Sequence, residues 1–206
     1  MYFESYAFAN IFPKDFSAWD NYVYVGTISW KFSEKVGMKP NIIPKIMSSI
    51  NSLEVDVIGF LYSRFNGSLV SITNVHHPKF SQIWILLMES FGDRFTTEQV
   101  KECCLEIFFA NYWIGKVKLV KQLSIFHKEV QDRMDFLPSI QQDLWSDAKY
   151  ISCGSNMKQT PLQDIFNRSY YTYHPFILER ISPFYFAALN ASIVNAKTII
   201  NKYNLE

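Results

Sequence analysis

The sequence predicts one α/β domain over residues 1–206, with a mixed, mainly parallel sheet flanked by helices. Three observations carry that expectation. Residues 22–30, Tyr-Val-Tyr-Val-Gly-Thr-Ile-Ser-Trp, are rich in β-branched and aromatic side chains and read as a strand. Residues 41–51 place Ile43, Ile46, Met47 and Ile50 at i, i+3, i+4 and i+7, the stripe of an amphipathic helix. Residues 53–60 return to strand character, so strand, helix and strand follow within about forty residues, the length of a parallel βαβ unit.

The remaining elements follow in order. Residues 2–12 form a short helix with Phe3, Ala7, Phe8 and Ile11 on one side, and Pro13 ends it. Trp19 is a packing anchor in the polar turn behind. The first strand is apolar on both faces in its first half, which suits a central strand covered on two sides. Gly26 inside it signals close approach of another backbone or a ligand. Residues 61–75 read as a connection with an Asn66-Gly67 turn and a short strand at 69–73. A strongly apolar helix over 79–91 has Phe80, Ile83, Trp84, Leu87 and Met88 on its inner face. Thr96 caps the next helix, and Gln99 three residues on completes a capping box. Residues 105–110 read as a buried strand that runs into 111–116. A long amphipathic helix then starts at Val117, with Leu119, Val120, Leu123, Phe126, Val130 and Met134 inward. A helix over 139–145, a flexible segment over 152–156 and a helix over 175–190, kinked at Pro183, complete the chain.

Composition narrows the function. With 49% hydrophobic and 19% charged residues and a net charge of +1, the chain lacks the basic excess of a nucleic-acid binder. Eighteen Phe and twelve Tyr are what carbohydrate clefts use, and also what AT-rich coding oversupplies. Cys103, Cys104 and Cys153 make neither a disulfide framework nor a zinc pattern, so reduced thiols and a cytoplasmic location are expected. No signal-peptide pattern opens the chain and no run of about 18 apolar residues predicts a spanning helix. Peripheral membrane contact stays compatible with this.

The stretch with the most chemistry is Glu54-Val55-Asp56-Val57. Side chains alternate along a strand, so Glu54 and Asp56 share a face. Such a pair could seat a divalent cation holding a diphosphate, since Mg²⁺-type ions use one or two carboxylates plus substrate phosphates. The same pair also suits a plain polar strand end. Open α/β sheets collect ligands at the carboxyl ends of their strands. That rule points to Trp30 and Lys31, to the chain after Phe60 and to residues 111–113. Glu54 and Asp56 join them only if their strand turns out early.

Three segments, residues 24–32 (YVGTISWKF), 54–57 (EVDV) and 111–116 (NYWIGK), with a late Phe176-Ile-Leu-Glu-Arg180, together resemble a family. It is the GT-A-type glycosyltransferase-like proteins of bacterial capsule and lipopolysaccharide clusters, with relatives in large DNA viruses. The resemblance spans roughly residues 4–190 and rests on the order and spacing of the motifs. It implies a GT-A-like, Rossmann-like sheet and a sugar moved from a nucleotide-diphosphate donor to a glycan or glycoprotein acceptor. It implies Mn²⁺ or Mg²⁺ held through an Asp-x-Asp motif, here Glu54-x-Asp56, with Asp56 as the metal ligand. It places Asn111, Tyr112 and Trp113 on the sugar side of the cleft and Glu179 and Arg180 near the far wall. Lys31 joins the donor or acceptor contacts, and His77 could complete the metal shell or meet phosphate. Glu179, in an otherwise apolar helix, is the expected general base. Each has a structural alternative: a His77 buried in a turn, a Glu179 ion-paired with Arg180 or Lys31, aromatics packed in the core. One departure stands out. GT-A domains begin with a strand that cradles the base, and here only a short helix precedes Tyr22. The second function class is a non-catalytic glycan-binding or accessory relative.

Overall fold

The computed structural model describes residues 6–28, 32–50, 54–60, 62–64, 67–102, 106–108, 112–149 and 170–205. A four-stranded sheet runs in the order β1 (Tyr24–Thr27), β5 (Trp113–Lys116), β2 (Val57–Gly59), β6 (Ile193–Asn195). Strand β5 is antiparallel to both β1 and β2, and β2 is parallel to β6. A separate antiparallel pair joins β3 (Tyr62–Arg64) to β4 (Glu106–Phe108). The architecture is therefore mixed α/β, but two of the three pairings in the main sheet are antiparallel, which corrects the expectation of a mainly parallel sheet.

The reason lies in β5. Strands β1 and β2 do run parallel, because both oppose β5, and two helices, at Phe32–Val36 and Ile42–Ser49, lie between them in the chain. The later strand then inserts between them. Sequence spacing sets the direction of a strand pair but carries no information on what fills the gap.

The sheet divides the core into two layers, as alternation along a strand requires. On one side, Val57 and Trp113 join Phe8, Trp84, Val120, Phe126 and Phe184. On the other, Ile58, Tyr112 and Ile114 join Phe32, Ile46, Phe60 and Ile199. The first layer is covered by α4 (Phe80–Glu89), α6 (Val117–Phe136), α7 (Pro138–Leu144) and α8 (His174–Ala188); the second by α1 (Phe32–Val36), α2 (Ile42–Ser49) and α9 (Ala196–Tyr203). Apolar runs in β2 and β5 reflect cover on both faces.

Several local expectations hold. The apolar face of α4 is buried at Phe80, Ile83, Trp84, Leu87 and Met88. The capping box ahead of α5 (Thr97–Glu102) forms in both directions: Thr96 N donates to Gln99 Oε1 at 2.9 Å and Gln99 N to Thr96 Oγ1 at 3.1 Å. Gln99 Nε2 also donates to the Ala188 carbonyl at 3.0 Å, satisfying an orphan acceptor at the end of α8.

Others are corrected. Residues 69–73 belong to helix α3 (Leu69–His76), not to a strand. The β-branched content favours a strand, but Ser68 Oγ caps the first turn from Ser71 N, and Leu69, Val70 and Thr73 are buried on one face. Residues 7–11 form a π-helical turn, Ala7–Ile11, followed by a 3-10 turn, Phe12–Lys14, in place of one helix. Strand β6 and helix α9 lie beyond the last expected element; Asn195 Oδ1 caps α9 by accepting from Lys197 N at 2.9 Å. Among the described strands β1 is at the edge of the sheet, not at its centre. Val117 N donates to Val23 O at 3.0 Å, so the alternating ladder turns the backbone groups of Tyr24 and Gly26 away from β5.

Gly26 is where a close approach is required. A Cβ there would lie 2.3 Å from the Trp113 carbonyl oxygen and 2.7 Å from Ile114 Cα, both backbone atoms that cannot step aside. Gly26→Ala is expected to destabilise the fold by about 3 kcal/mol, read as a lower urea midpoint at unchanged slope. An unchanged midpoint would mean that the β1–β5 spacing is not what this residue protects.

Candidate functional site

Asp56 precedes β2 rather than ending it. The mutually parallel strands β1, β2 and β6 all start on this side, so Asp56 sits at their amino ends, opposite the edge where open α/β sheets gather ligands. Both carboxylate oxygens are engaged. Oδ1 accepts from Lys116 Nζ at 2.8 Å and Oδ2 from Ser192 N at 2.9 Å. The backbone repeats the pattern: Asp56 N donates to Ser192 O at 2.9 Å, and Lys116 N to Asp56 O at 2.9 Å. Tyr24 Oη donates to the neighbouring Val55 carbonyl at 2.6 Å. The Lys116 bond, then the Ser192 amide, hold the Asp56 carboxyl below its usual range. The same pair raises Lys116. Glu54 is exposed beside them.

A cation at Asp56 would have to share or displace these two contacts. An ammonium engages one oxygen and an amide the other, and Lys116 would face the ion with like charge. Among the described residues no group of three or more His, Cys, Asp or Glu side chains could hold a metal ion.

His77, the other expected metal ligand, is buried where α3 meets α4. Its Nδ1 lies 3.3 Å from the Ala148 carbonyl, and its ring stacks on Phe176 with centroids 3.6 Å apart. Burial first, with the nearby Arg180 and His76 charges adding to it against the Ala148 bond, lowers its pKa from 6.5 to about 4. Arg180 Nε donates to Thr73 Oγ1 at 3.1 Å, and its guanidinium pairs with Glu179 at 3.1 Å. The chain thus brings His77, Thr73, Glu179 and Arg180 to one place, with Glu179 in the intrahelical ion pair that was its structural alternative. Tyr112 and Trp113 both pack in the core, on opposite faces of the sheet. Tyr112 stands at the carboxyl edge of β2, where its carbonyl accepts from Phe60 N at 2.9 Å. Lys31 and Asn111 lie outside the described residues, as do Cys103, Cys104 and Cys153.

Among the described residues an open concave surface lies along β1. A cleft of about 550 Å³ is lined by Phe8, Phe12, Trp19, Tyr22, Tyr24 and Val120, among others. Trp19 is only partly buried and packs against Phe12 at 4.9 Å and Phe16 at 5.2 Å, while Tyr22 is 62% exposed. A smaller cavity of about 290 Å³ borders the other face of β1, by Ile43 and Met47. The sequence signal for this cleft was present in the clustering of Phe8, Phe12, Phe16, Trp19 and Tyr22. Reading β1 as central hid it.

No protein-family model matches this chain, and no curated protein or solved structure matches it. No helix among the described residues is long and apolar enough to cross a membrane.

Two pH dependences follow. The Asp56 pKa is lowered on folding, so its contribution is full above 3.8 and is lost as pH falls through the lower folded value. Asp56→Asn is expected to cost about 1 kcal/mol at neutral pH, with the gap to wild type closing in acid, by urea unfolding across pH. A gap that widens in acid would contradict the pairing. His77 is neutral when folded, so below 6.5 the unfolded chain takes up a proton that the folded chain refuses, and stability falls toward pH 4. His77→Gln is expected to flatten that loss by roughly 2 kcal/mol. An identical acid limb in the variant would place the loss at other groups.

Proposed function

We propose that this chain is a non-catalytic, glycan-binding relative of the glycosyltransferase-like group, with the glycan seated in the aromatic cleft beside β1. The observation that carries the choice is Asp56. The carboxylate at the expected metal position ties strands together, with both oxygens taken up by Lys116 and Ser192. What supports carbohydrate as ligand is the half-open wall of Trp19, Tyr22 and Phe12, whose ring faces suit the C–H face of a sugar. None of the described lining residues is Lys, Arg, Asp or Glu, which favours a neutral ligand over a nucleotide diphosphate.

One observation favours the second reading, a nucleotide-sugar-dependent transferase using Mn²⁺ or Mg²⁺. The Asp56 and Lys116 side chains are 29% and 38% exposed, so a cation with a diphosphate could compete for the carboxylate from solvent. Calorimetric titrations separate the two. The proposal expects no saturable heat from UDP with Mn²⁺, and millimolar binding of neutral oligosaccharides that Trp19→Ala weakens roughly tenfold. UDP–Mn²⁺ binding that Asp56→Ala abolishes would replace it with the transferase reading.

A further inference from the structure

Strand β1 stands at the edge of the main sheet among the described strands, and it lacks the features that keep an edge unpaired. Val23 O accepts from Val117 N, so in the antiparallel ladder the backbone groups of Val25 and Thr27 also turn toward β5. Those of Tyr24 and Gly26 turn outward, and the alternation carries on to Ile28. Monomeric proteins blunt such an edge with Lys, Pro or an inward-pointing charge. From Tyr22 to Ile28 the chain has no Lys, Arg, Asp, Glu or Pro. Its side chains are instead apolar and open: Val23 is 72% exposed and Ile28 41%, beside the exposed Tyr22. Gly26, at the middle of this stretch, is exposed and carries no side chain to hold a second backbone away.

We propose that β1 is a self-association edge. Two copies of this chain pair antiparallel along it, around a two-fold axis at Gly26, so that their four-stranded sheets become one continuous sheet. The inference goes beyond the glycan reading and does not rest on it.

A second copy is the occupant because the edge is its own complement. An isologous contact needs residue i to meet j and residue j to meet i. With the axis at Gly26, Gly26 meets Gly26 of the second copy, Tyr24 meets Ile28 and Ile28 meets Tyr24. All three have outward-turned backbone groups, so each pair exchanges both of its N–H···O bonds. A one-residue shift would oppose an outward-turned residue to an inward-turned one and lose those bonds. The side chains agree with this register. Tyr24 and Ile28 both border the 290 Å³ cavity beside Ile43 and Met47, and each Tyr24–Ile28 pair lays apolar surface along its open side. Val25 and Thr27 meet on the opposite face, both of them β-branched. Charge does not oppose the contact, because a net charge of +1 gives two copies little mutual repulsion.

Sedimentation equilibrium of the full chain across the micromolar range tests this. A reversible monomer–dimer equilibrium is expected, with the mass rising from 24.2 kDa toward twice that value. Ile28→Lys sets an ammonium in the edge and removes both symmetry-related Tyr24–Ile28 contacts, so it should weaken association roughly tenfold. Phe136→Lys, at an exposed apolar residue on the far end of α6, should leave association unchanged. Amide exchange followed by NMR reports the seam itself. The Tyr24 and Gly26 N–H groups should exchange more slowly at high protein concentration, and that of Val25, turned toward β5, equally at high and low. A chain that stays monomeric throughout would overturn the proposal; Gly26 protection in that monomer would mean that the edge is covered from within the same chain. Association that Ile28→Lys leaves unchanged, or that Phe136→Lys weakens as much, would place the interface elsewhere and overturn it as well. Oligomers beyond the dimer would mean a head-to-tail contact that does not close, which also contradicts the two-fold pairing. Should Ile28→Lys lose the dispersed spectrum of a folded chain, Val23→Lys, at a more exposed position of the same edge, carries the measurement with the same expected and overturning results.

Discussion

The fold depends on how one carboxylate joins three strands. Asp56 reaches Lys116 at the end of β5 and the Ser192 amide ahead of β6, while its own backbone bonds to the same two residues. Tyr24, from β1, adds its hydroxyl at Val55, one residue away. All four strands of a sheet whose members are only three or four residues long are therefore tied at one end. Strands this short have few ladder bonds to resist slippage, and a register error would send every side chain to the wrong face. A partly exposed ion pair contributes little energy, but here it adds direction to a ladder that needs it.

That structural use of Asp56 is what separates the candidate sites. The groups expected to work together fall into three places. Asp56 lies at the amino ends of the parallel strands, and Tyr112 stands at the opposite edge. His77, Glu179 and Arg180 form a third group, where α3 and α4 meet α8. The cleft seen among the described residues belongs to none of them. It follows β1, whose outer edge is unpaired among the described strands, and the N-terminal aromatic turns supply its far wall. A cleft whose described lining is rich in rings and without charged side chains suits a ligand held by stacking and a few hydroxyl contacts rather than by ion pairs.

Much of the architecture was legible in the residues because its signals are local. The period of α6 placed Leu119, Val120, Leu123, Phe126, Val130 and Met134 inward; the last five are buried and Leu119 is partly buried. The Thr96–Gln99 box and the close approach at Gly26 likewise depend only on neighbouring chain and backbone sterics. The polar members of α6 were missed for the complementary reason. Ser124, His127 and Gln131 look like a solvated face until the N-terminal turn lies over them. Residues 69–73 were misread because their β-branched content speaks for a strand, whereas burial of Leu69, Val70 and Thr73 decides for a helix.

By itself, the sequence determined a mixed α/β chain, most of its helices, the glycine contact, and the residues with the chemistry to act. Only the tertiary structure decided that β5 enters between β1 and β2, which leaves β1 at the edge with a cleft beside it. It likewise decided what Asp56 does. A carboxylate two residues from another is the same pattern whether it awaits a metal or an ammonium. What distinguishes the cases is a lysine sixty residues away and an amide 136 residues away, brought within hydrogen-bonding distance by strand pairing. Periodicity and propensity report the environment along the chain, and pairing across it is where the role of this residue was set.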